Sequence, residues 1–520
     1  MAYYRRKADE VLTGEPCRWL STGGPADIVR TWSASPVMLP APGSEGPSSV
    51  RSELLSFHER PAAGGIARRP GALATGACAA LLSGCALYHS LPLPKQPDLV
   101  GQLSQLRTRI PAVPGEAQRT IAVDRPLDID DIGLLAVLND PDLRAERGTL
   151  DVARAGLLQA SLLPNPAGSV SYSSILGGTD VAPAWTASIT EDVKAILTYH
   201  TRKKSARFQL EQVNADLLWQ EWQVAQQARI LALDLYWGGL SLSLADRQLQ
   251  LLDKEVQEVQ AATQSGALDL TALAPLLAAK ASAAQTVASL NLAQLQGWQQ
   301  LDALLGLKPD VRFEIAQPKV APLPANLDGL IAQLPERRPD LIALQLGYRS
   351  ADESVRSAII GQFPALVAGY NWGQDTSNVR SGGPTATFDL PLFDRNQGQV
   401  AQARATRLQL HEQYEARLDA ADGAAKGLVS QIERLTSDTQ EAERAAAAAE
   451  AQSKAAQQAY AQDALDQRSL ADFETTALQR RIEAMTLERS LGEARITLTV
   501  DLGLGLPQTR IVPLGSSRKL

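Results

Sequence analysis

Cysteine and histidine are the side chains best suited to chemistry near neutral pH, and in this sequence they are few and far apart. Cys17, Cys78 and Cys85 all fall within the first 85 of 520 residues, so the body of the chain holds neither a disulfide nor a thiolate metal site. His89, His200 and His411 lie far from one another beyond Cys85, with Met485 the single methionine there. No zinc or copper ligand spacing is readable. Gly177-Gly178 falls between predicted strands rather than ahead of a helix, so it is not a phosphate-cradling loop. No serine stands in a nucleophile-elbow pattern. The expectation is a protein that is not an enzyme, with no metal site, no catalytic residue and no cofactor beyond a covalent lipid.

The lipid is expected on Cys85. Arg68 and Arg69 precede an apolar run of small residues from Gly71 to Leu82, which ends in Leu82-Ser83-Gly84-Cys85. A charged start, a short apolar centre and small residues at the cut make a secretory signal. Its last four residues resemble a bacterial lipobox, whose cysteine is acylated and becomes the first residue of the mature chain. The alternative is a free buried cysteine beside an ordinary apolar segment. Residues 1–66, rich in Pro, Gly and Ser, fit no part of a signal and read as a disordered leader or a start-site artefact; 67–84 is the signal peptide.

Composition narrows the class further. At 45% hydrophobic residues the chain can bury a core. A formal charge of -7, with Lys and Arg scattered, leaves no basic patch for nucleic acid. No stretch reaches the ~18–20 apolar residues of a membrane-spanning helix, which leaves a β-barrel open.

The elements follow from an internal repeat. At a shift of 198 positions, Pro141-Asp142-Leu143 falls on Pro339-Asp340-Leu341 and Pro166 on Pro364. At a shift of 197, Leu268-Asp269 falls on Leu465-Asp466 and Leu305-Gly306-Leu307 on Leu502-Gly503-Leu504. Each copy reads as a short helix, two strands, a very long helix, a turn and a medium helix. Strands are predicted at 168–176, 184–193, 365–374 and 384–393, where Ser, Thr and Gly alternate with residues such as Val170, Tyr172, Ile189, Tyr370 and Trp372. Sandwich edges would read the same way.

From Arg202 to about Thr263 and from Gln397 to about Ala461 there is no proline and almost no glycine, which predicts two helices of about 60 residues, or ~90 Å. Tyr414, Leu418, Ala421, Ala425, Leu428, Ile432 and Leu435 form a heptad seam that Ala442, Ala446 and Ala449 continue, so the second helix needs a partner. The two shorter helices of each copy, laid end to end, match the long one. Trp219, Trp222 and Trp237 read as core or subunit packing. Four strands cannot close a barrel in lipid, so several copies must associate.

The chain from about Asp131 to Pro507 resembles the TolC-type outer-membrane channels of bacterial efflux and secretion systems. The resemblance rests on Arg337-Arg338-Pro339-Asp340-Leu341, on Phe388-Asp389-Leu390-Pro391-Leu392-Phe393-Asp394 and on the repeat itself. It implies a mainly α fold with a small β part, a homotrimer with a twelve-stranded barrel in the outer membrane, and an α-helical barrel through the periplasm. The repeats are then 132–306 and 337–504, with an N-terminal linker or equatorial segment at 85–131, an equatorial linker at 307–336 and an equatorial tail at 505–520. It also implies a periplasmic adaptor and an inner-membrane pump as partners, with the chain as a passive exit duct whose pump sets selectivity. The hairpin turns Ser265-Gly266-Ala267-Leu268 and Gln462-Asp463-Ala464-Leu465 become the adaptor-docking tips, although Asp463 stands where the family usually has glycine. Asp472 or Glu474 is the candidate for an acidic ring at the periplasmic aperture, unless both are solvated surface charges. A periplasmic adaptor and a structural coiled-coil lipoprotein are the competing readings; the first lacks a twofold repeat and the second has no use for four strands.

Overall fold

The computed structural model describes residues 89–110, 120–177, 182–269, 271 and 273–504. Cys85, the expected signal segment 67–84 and residues 505–520 lie outside the described residues. Residues 89–98 belong to a unit separate from the body; they are irregular and exposed. The body, from Leu99 onward, is mostly helical with one small antiparallel sheet.

The first copy opens with α1 (Ile129–Asn139) and α2 (Pro141–Ala160). Asp128 caps α1 by accepting from the Asp130 N–H at 3.1 Å, and Asp140 caps α2 from the Leu143 N–H at 2.7 Å, with Pro141 in the first turn. Strands β1 (Ala167–Ser173) and β2 (Ala184–Asp192) follow, then α3 (Val193–Gln264) and α4 (Leu273–Leu305). Two short helices, α5 (Leu327–Ile331) and α6 (Leu334–Arg337), lead into the second copy: α7 (Pro339–Ile360), β3 (Leu366–Gln374), β4 (Arg380–Phe388), α8 (Gln397–Ala461) and α9 (Gln467–Asp501).

The long helices exceed expectation. At 72 and 65 residues, α3 and α8 run about 110 and 100 Å. α3 begins at Val193 rather than near Arg202, because Asp192 ends β2 and at once caps the helix, its Oδ1 accepting from the Ala195 N–H at 3.1 Å. β4 is likewise displaced from the predicted 384–393 to 380–388. The Asp375 carboxylate accepts from the Ser377 and Val379 N–H groups and turns the chain early, with Asn378 in the left-handed conformation, while Leu390-Pro391 falls outside the ladder.

The heptad seam packs as expected. Ala421, Ala425 and Ile432 of α8 are buried with Leu341 of α7 and Leu491, Ala494 and Leu498 of α9, and Tyr414, Leu418, Leu428 and Leu435 pack against that cluster. Ala442 and Ala446 continue the contact onto Ala484. Trp219 and Trp222 sit in core with Leu218 and Val500, and Trp237 is buried. One contact departs from the reading: α7 packs on α3, the other copy's long helix, more extensively than on α8, so the two copies interlock instead of standing side by side.

Val100 bridges Leu307 and Leu127 bridges Ile315, both in parallel, so the segment ahead of α1 pairs with the segment that follows α4. Gly306 (φ 66°) and Gly503 (φ 65°) terminate α4 and α9 alike. A Cβ on Gly503 would stand 2.8 Å from the Arg337 carbonyl.

Candidate functional site

The sheet is four strands in the order β1-β2-β3-β4, every pair antiparallel, with β1 and β4 at open edges. Residues paired directly across strands share a face. One face carries Val170 and Tyr172, Trp185, Ala187 and Ile189, Tyr370 and Trp372, and Ala386 and Phe388. The other carries Ser169 and Ser171, Thr186 and Ser188, Asn371, and Thr385 and Thr387. On the polar face the hydroxyls join across strands, Ser169 to Ser188 at 2.8 Å and Ser171 to Thr186 at 2.7 Å.

The apolar face is bare: Val170 is 81% exposed and Tyr172 67%, with Ile189, Tyr370, Trp372 and Phe388 also exposed. Strands of seven to nine residues, apolar on one side and hydroxylated on the other, suit a sheet with lipid outside and water inside. Two unpaired edges in such a sheet demand further strands. No described helix is long and apolar enough to cross a membrane.

At the opposite end of the long helices lie the two turns. After α3, Ser265 is followed by Gly266 at φ 77°, and the Ala267 N–H donates to the Ala262 carbonyl at 2.8 Å. After α8, Gln462 is followed by Asp463 at φ 55°, and the Ala464 N–H donates to the Ala459 carbonyl at 2.9 Å. The turns share one geometry, and Asp463 adopts the left-handed conformation that glycine takes in the first. Ser265, Gly266, Ala267, Leu268, Asp463 and Ala464 are exposed; Leu465 is half-buried. Past each leucine an aspartate starts the returning segment, Asp269 accepting from the Thr271 N–H and Asp466 from the Ser469 N–H, which holds both carboxyls below their ordinary range.

The two acidic candidates separate. Glu474 is half-buried and accepts from Gln457 of α8 at 2.7 Å, inside its own hairpin. Asp472 is exposed, and its charge acts on Glu255 of α3. Glu255 is buried, and burial first, then the Asp472 charge, raises its carboxyl above the ordinary range. Sequence reading did not find Glu255, since only packing brings the two hairpins together there.

Two further charge clusters were also invisible to spacing. Arg338, between α6 and α7, is buried and grips Asp340 through Nε and Nη2 at 3.0 and 2.9 Å. It also reaches Asp501 of α9 at 3.4 Å and lies 4.6 Å over the Trp219 ring of α3, while Arg417 of α8 meets Asp340 at 2.7 Å. Burial pushes the Asp340 carboxyl up, but the hydrogen bonds and charges of both arginines together hold it below its usual range. Between α3 and α9, burial and the neighbouring Glu493 carboxyl push Asp234 up to about 7 against the opposing charge of Arg489. Separately, His411, Glu412 and Glu415 gather on an exposed face of α8, with His411 Nδ1 3.7 Å from Glu415; all three are solvated, as surface pairs one turn apart are.

The outer membrane efflux protein family matches residues 330–504. No curated protein matches the chain. Among solved structures, the Campylobacter jejuni CmeC outer membrane channel is 14% identical with a TM-score of 0.61, covering 82% of this chain and 96% of that one. The Neisseria gonorrhoeae MtrE outer membrane channel, described in its open state, is 16% identical with a TM-score of 0.59, covering 81% and 99%. The Vibrio cholerae outer membrane protein VceC is 18% identical with a TM-score of 0.59, covering 73% and 97%. These likenesses extend the match across both repeats at the level of fold. The second repeat thus matches the outer membrane efflux protein family by sequence, and the body of the chain shares the fold of these outer membrane channels.

Proposed function

We propose that this chain is the exit duct of a tripartite efflux system, conducting solutes passively from periplasm to exterior. The observation that carries the reading is the open sheet, bare and apolar on one face and hydroxylated on the other, with both edges unpaired. Three copies supply twelve strands, above the ~8 that the smallest membrane barrels need. The hydroxyl face then lines the pore, and the rods of α3 and α8 carry the tunnel across the periplasm. Energy comes from an inner-membrane pump.

The tips Ser265–Leu268 and Asp463–Leu465 meet a periplasmic adaptor; their exposure and common geometry support this role. Asp472, exposed near the tip and with a carboxylate that, unlike that of Glu474, accepts no hydrogen bond from the neighbouring helix α8, is the better aperture residue of the two. Cys85 carries the lipid, and Cys85→Ser abolishes lipid labelling while trimers still form; labelling that survives the change removes the anchor from the reading. The reading as a whole is tested by fractionation and planar-bilayer recording. Heat-sensitive trimers in the outer membrane that conduct ions are expected; a monomer without conductance defeats it.

A further inference from the structure

The repeats differ at one joint. β2 passes into α3 with no linker, whereas eight residues, Asp389–Asn396, separate β4 from α8. Those eight are tightly held. Asn396, at φ 60°, donates through Nδ2 to the Ala358 carbonyl at 2.8 Å, Gln397 donates to the Phe393 carbonyl at 3.1 Å, and Arg395 to the Pro391 carbonyl at 3.2 Å. Yet the loop so fixed presents its apolar side chains to solvent: Leu390, Leu392 and above all Phe393, 92% exposed. A rigid loop with bare aliphatic and aromatic side chains is a preorganised plug.

Between α2 and β1 lies a cavity of about 490 Å³ lined by Leu162, Leu163, Pro164, Ala160 and Gln159, with Arg202 of α3 beside them. Leu163 is 61% exposed at its wall. Topology relates plug and cavity. In an all-antiparallel sheet β1 starts, and β4 ends, on the helical side. If copies join edge to edge, β4 of one pairs antiparallel with β1 of the next, and the segment after β4 comes beside the segment before β1. The loop carries two acidic residues, Asp389 and Asp394, against one basic residue, Arg395, and its net negative charge complements Arg202, which makes no hydrogen bond or ion pair among the described residues.

We infer that Leu392 and Phe393 of one copy seat in the cavity formed by Leu162, Leu163 and Pro164 of the next, locking the seam of the barrel on its periplasmic side. This inference rests on the proposed closure by several copies. It also accounts for the asymmetry of the repeats: the β2–β3 junction is closed within the chain and needs no plug, whereas the β4–β1 junction forms only between copies.

The test introduces cysteines into the mature chain, whose body has none after Cys85. Leu163→Cys with Phe393→Cys, and separately Leu162→Cys with Leu392→Cys, are oxidised in the membrane and run on denaturing gels. At least one pair is expected to give covalent trimers, with each single variant remaining monomeric. Phe393→Asp is expected to lower the fraction of trimer surviving detergent at least tenfold with helicity unchanged, whereas Phe393→Leu retains most of it. Intact trimers that neither pair cross-links and that Phe393→Asp leaves unchanged overturn the inference and spare the channel reading. Phospholipid bound to wild-type trimers and released by Leu163→Asp, without cross-linking, gives the cavity to lipid and also overturns it. Absence of trimers from the wild-type chain defeats the channel reading itself.

Discussion

Arg338 is a side chain on which four helices converge: its guanidinium joins α7, α9 and the Trp219 face of α3, and through Asp340 it reaches α8. Removing it takes from buried Asp340 its two-pronged partner, leaving Arg417 alone on that carboxylate, and takes from half-buried Asp501 its ion pair. Arg338→Ala is therefore expected to cost about 3–5 kcal/mol, read as a lowered unfolding midpoint, and Arg338→Lys is not expected to recover it, since lysine cannot bridge both Asp340 oxygens and lie flat on the indole. Asp234 predicts a pH effect of definite sign. A carboxyl raised to about 7 in the folded chain binds its proton more tightly there than when unfolded, so its contribution is full below the ordinary aspartate pKa and is lost as pH rises through about 7. Asp234→Asn is expected to be relatively more stable than wild type at pH 8 than at pH 5; equal shifts at both pH values count against the assignment. At the second tip, Asp463 pays for a left-handed backbone that glycine adopts freely, so Asp463→Gly is expected to raise stability by up to about 1 kcal/mol, read as a higher unfolding midpoint.

At the scale of elements, the sheet gives the sharpest contrast between neighbouring residues. Ile189→Arg puts a charge on the apolar face and is expected to cost about 2–4 kcal/mol in lipid, seen as loss of trimer from unheated detergent extracts, whereas Ser188→Arg on the hydroxyl face is expected to leave trimers intact and shift ion selectivity in a bilayer recording. Elements of this kind were largely legible in the sequence. Helix lengths followed from missing proline, the seam from its heptads, the strands from alternation, and the two copies from Pro141 matching Pro339. The misplaced edges have local causes: an aspartate cap carried α3 back to Val193, and the Asp375 turn drew β4 four residues upstream. What spacing could not reveal was contact between the copies. α7 resting on α3, Arg338 on Trp219 and Glu255 against Asp472 depend on how distant helices cross, and no local period encodes that.

For the whole molecule, the strand edges are not the only surface lacking a neighbour. α4 is nearly uncharged from Leu273 to Trp298, with Lys280 its one charge there, and it leaves Leu277, Leu292 and Leu295 exposed. Such a face is covered when copies close around a pore, so hydrogen exchange in α4 is expected to slow markedly on assembly from dissociated chains; equal exchange in both states would place this helix on the outer, solvated wall. The cores around Leu341 and Trp219 are complete within one copy and are expected to exchange alike in both.

The direct passage of β2 into α3 at Asp192 has a mechanical side. With no slack at the root, the helix is a lever about 110 Å long, and a one-degree rocking of the strand sweeps Gly266 through about 2 Å. The far end of the first hairpin thus follows strand inclination directly, while the second hairpin, hung from an eight-residue bracket, takes its aim from Asn396 and the end of α7.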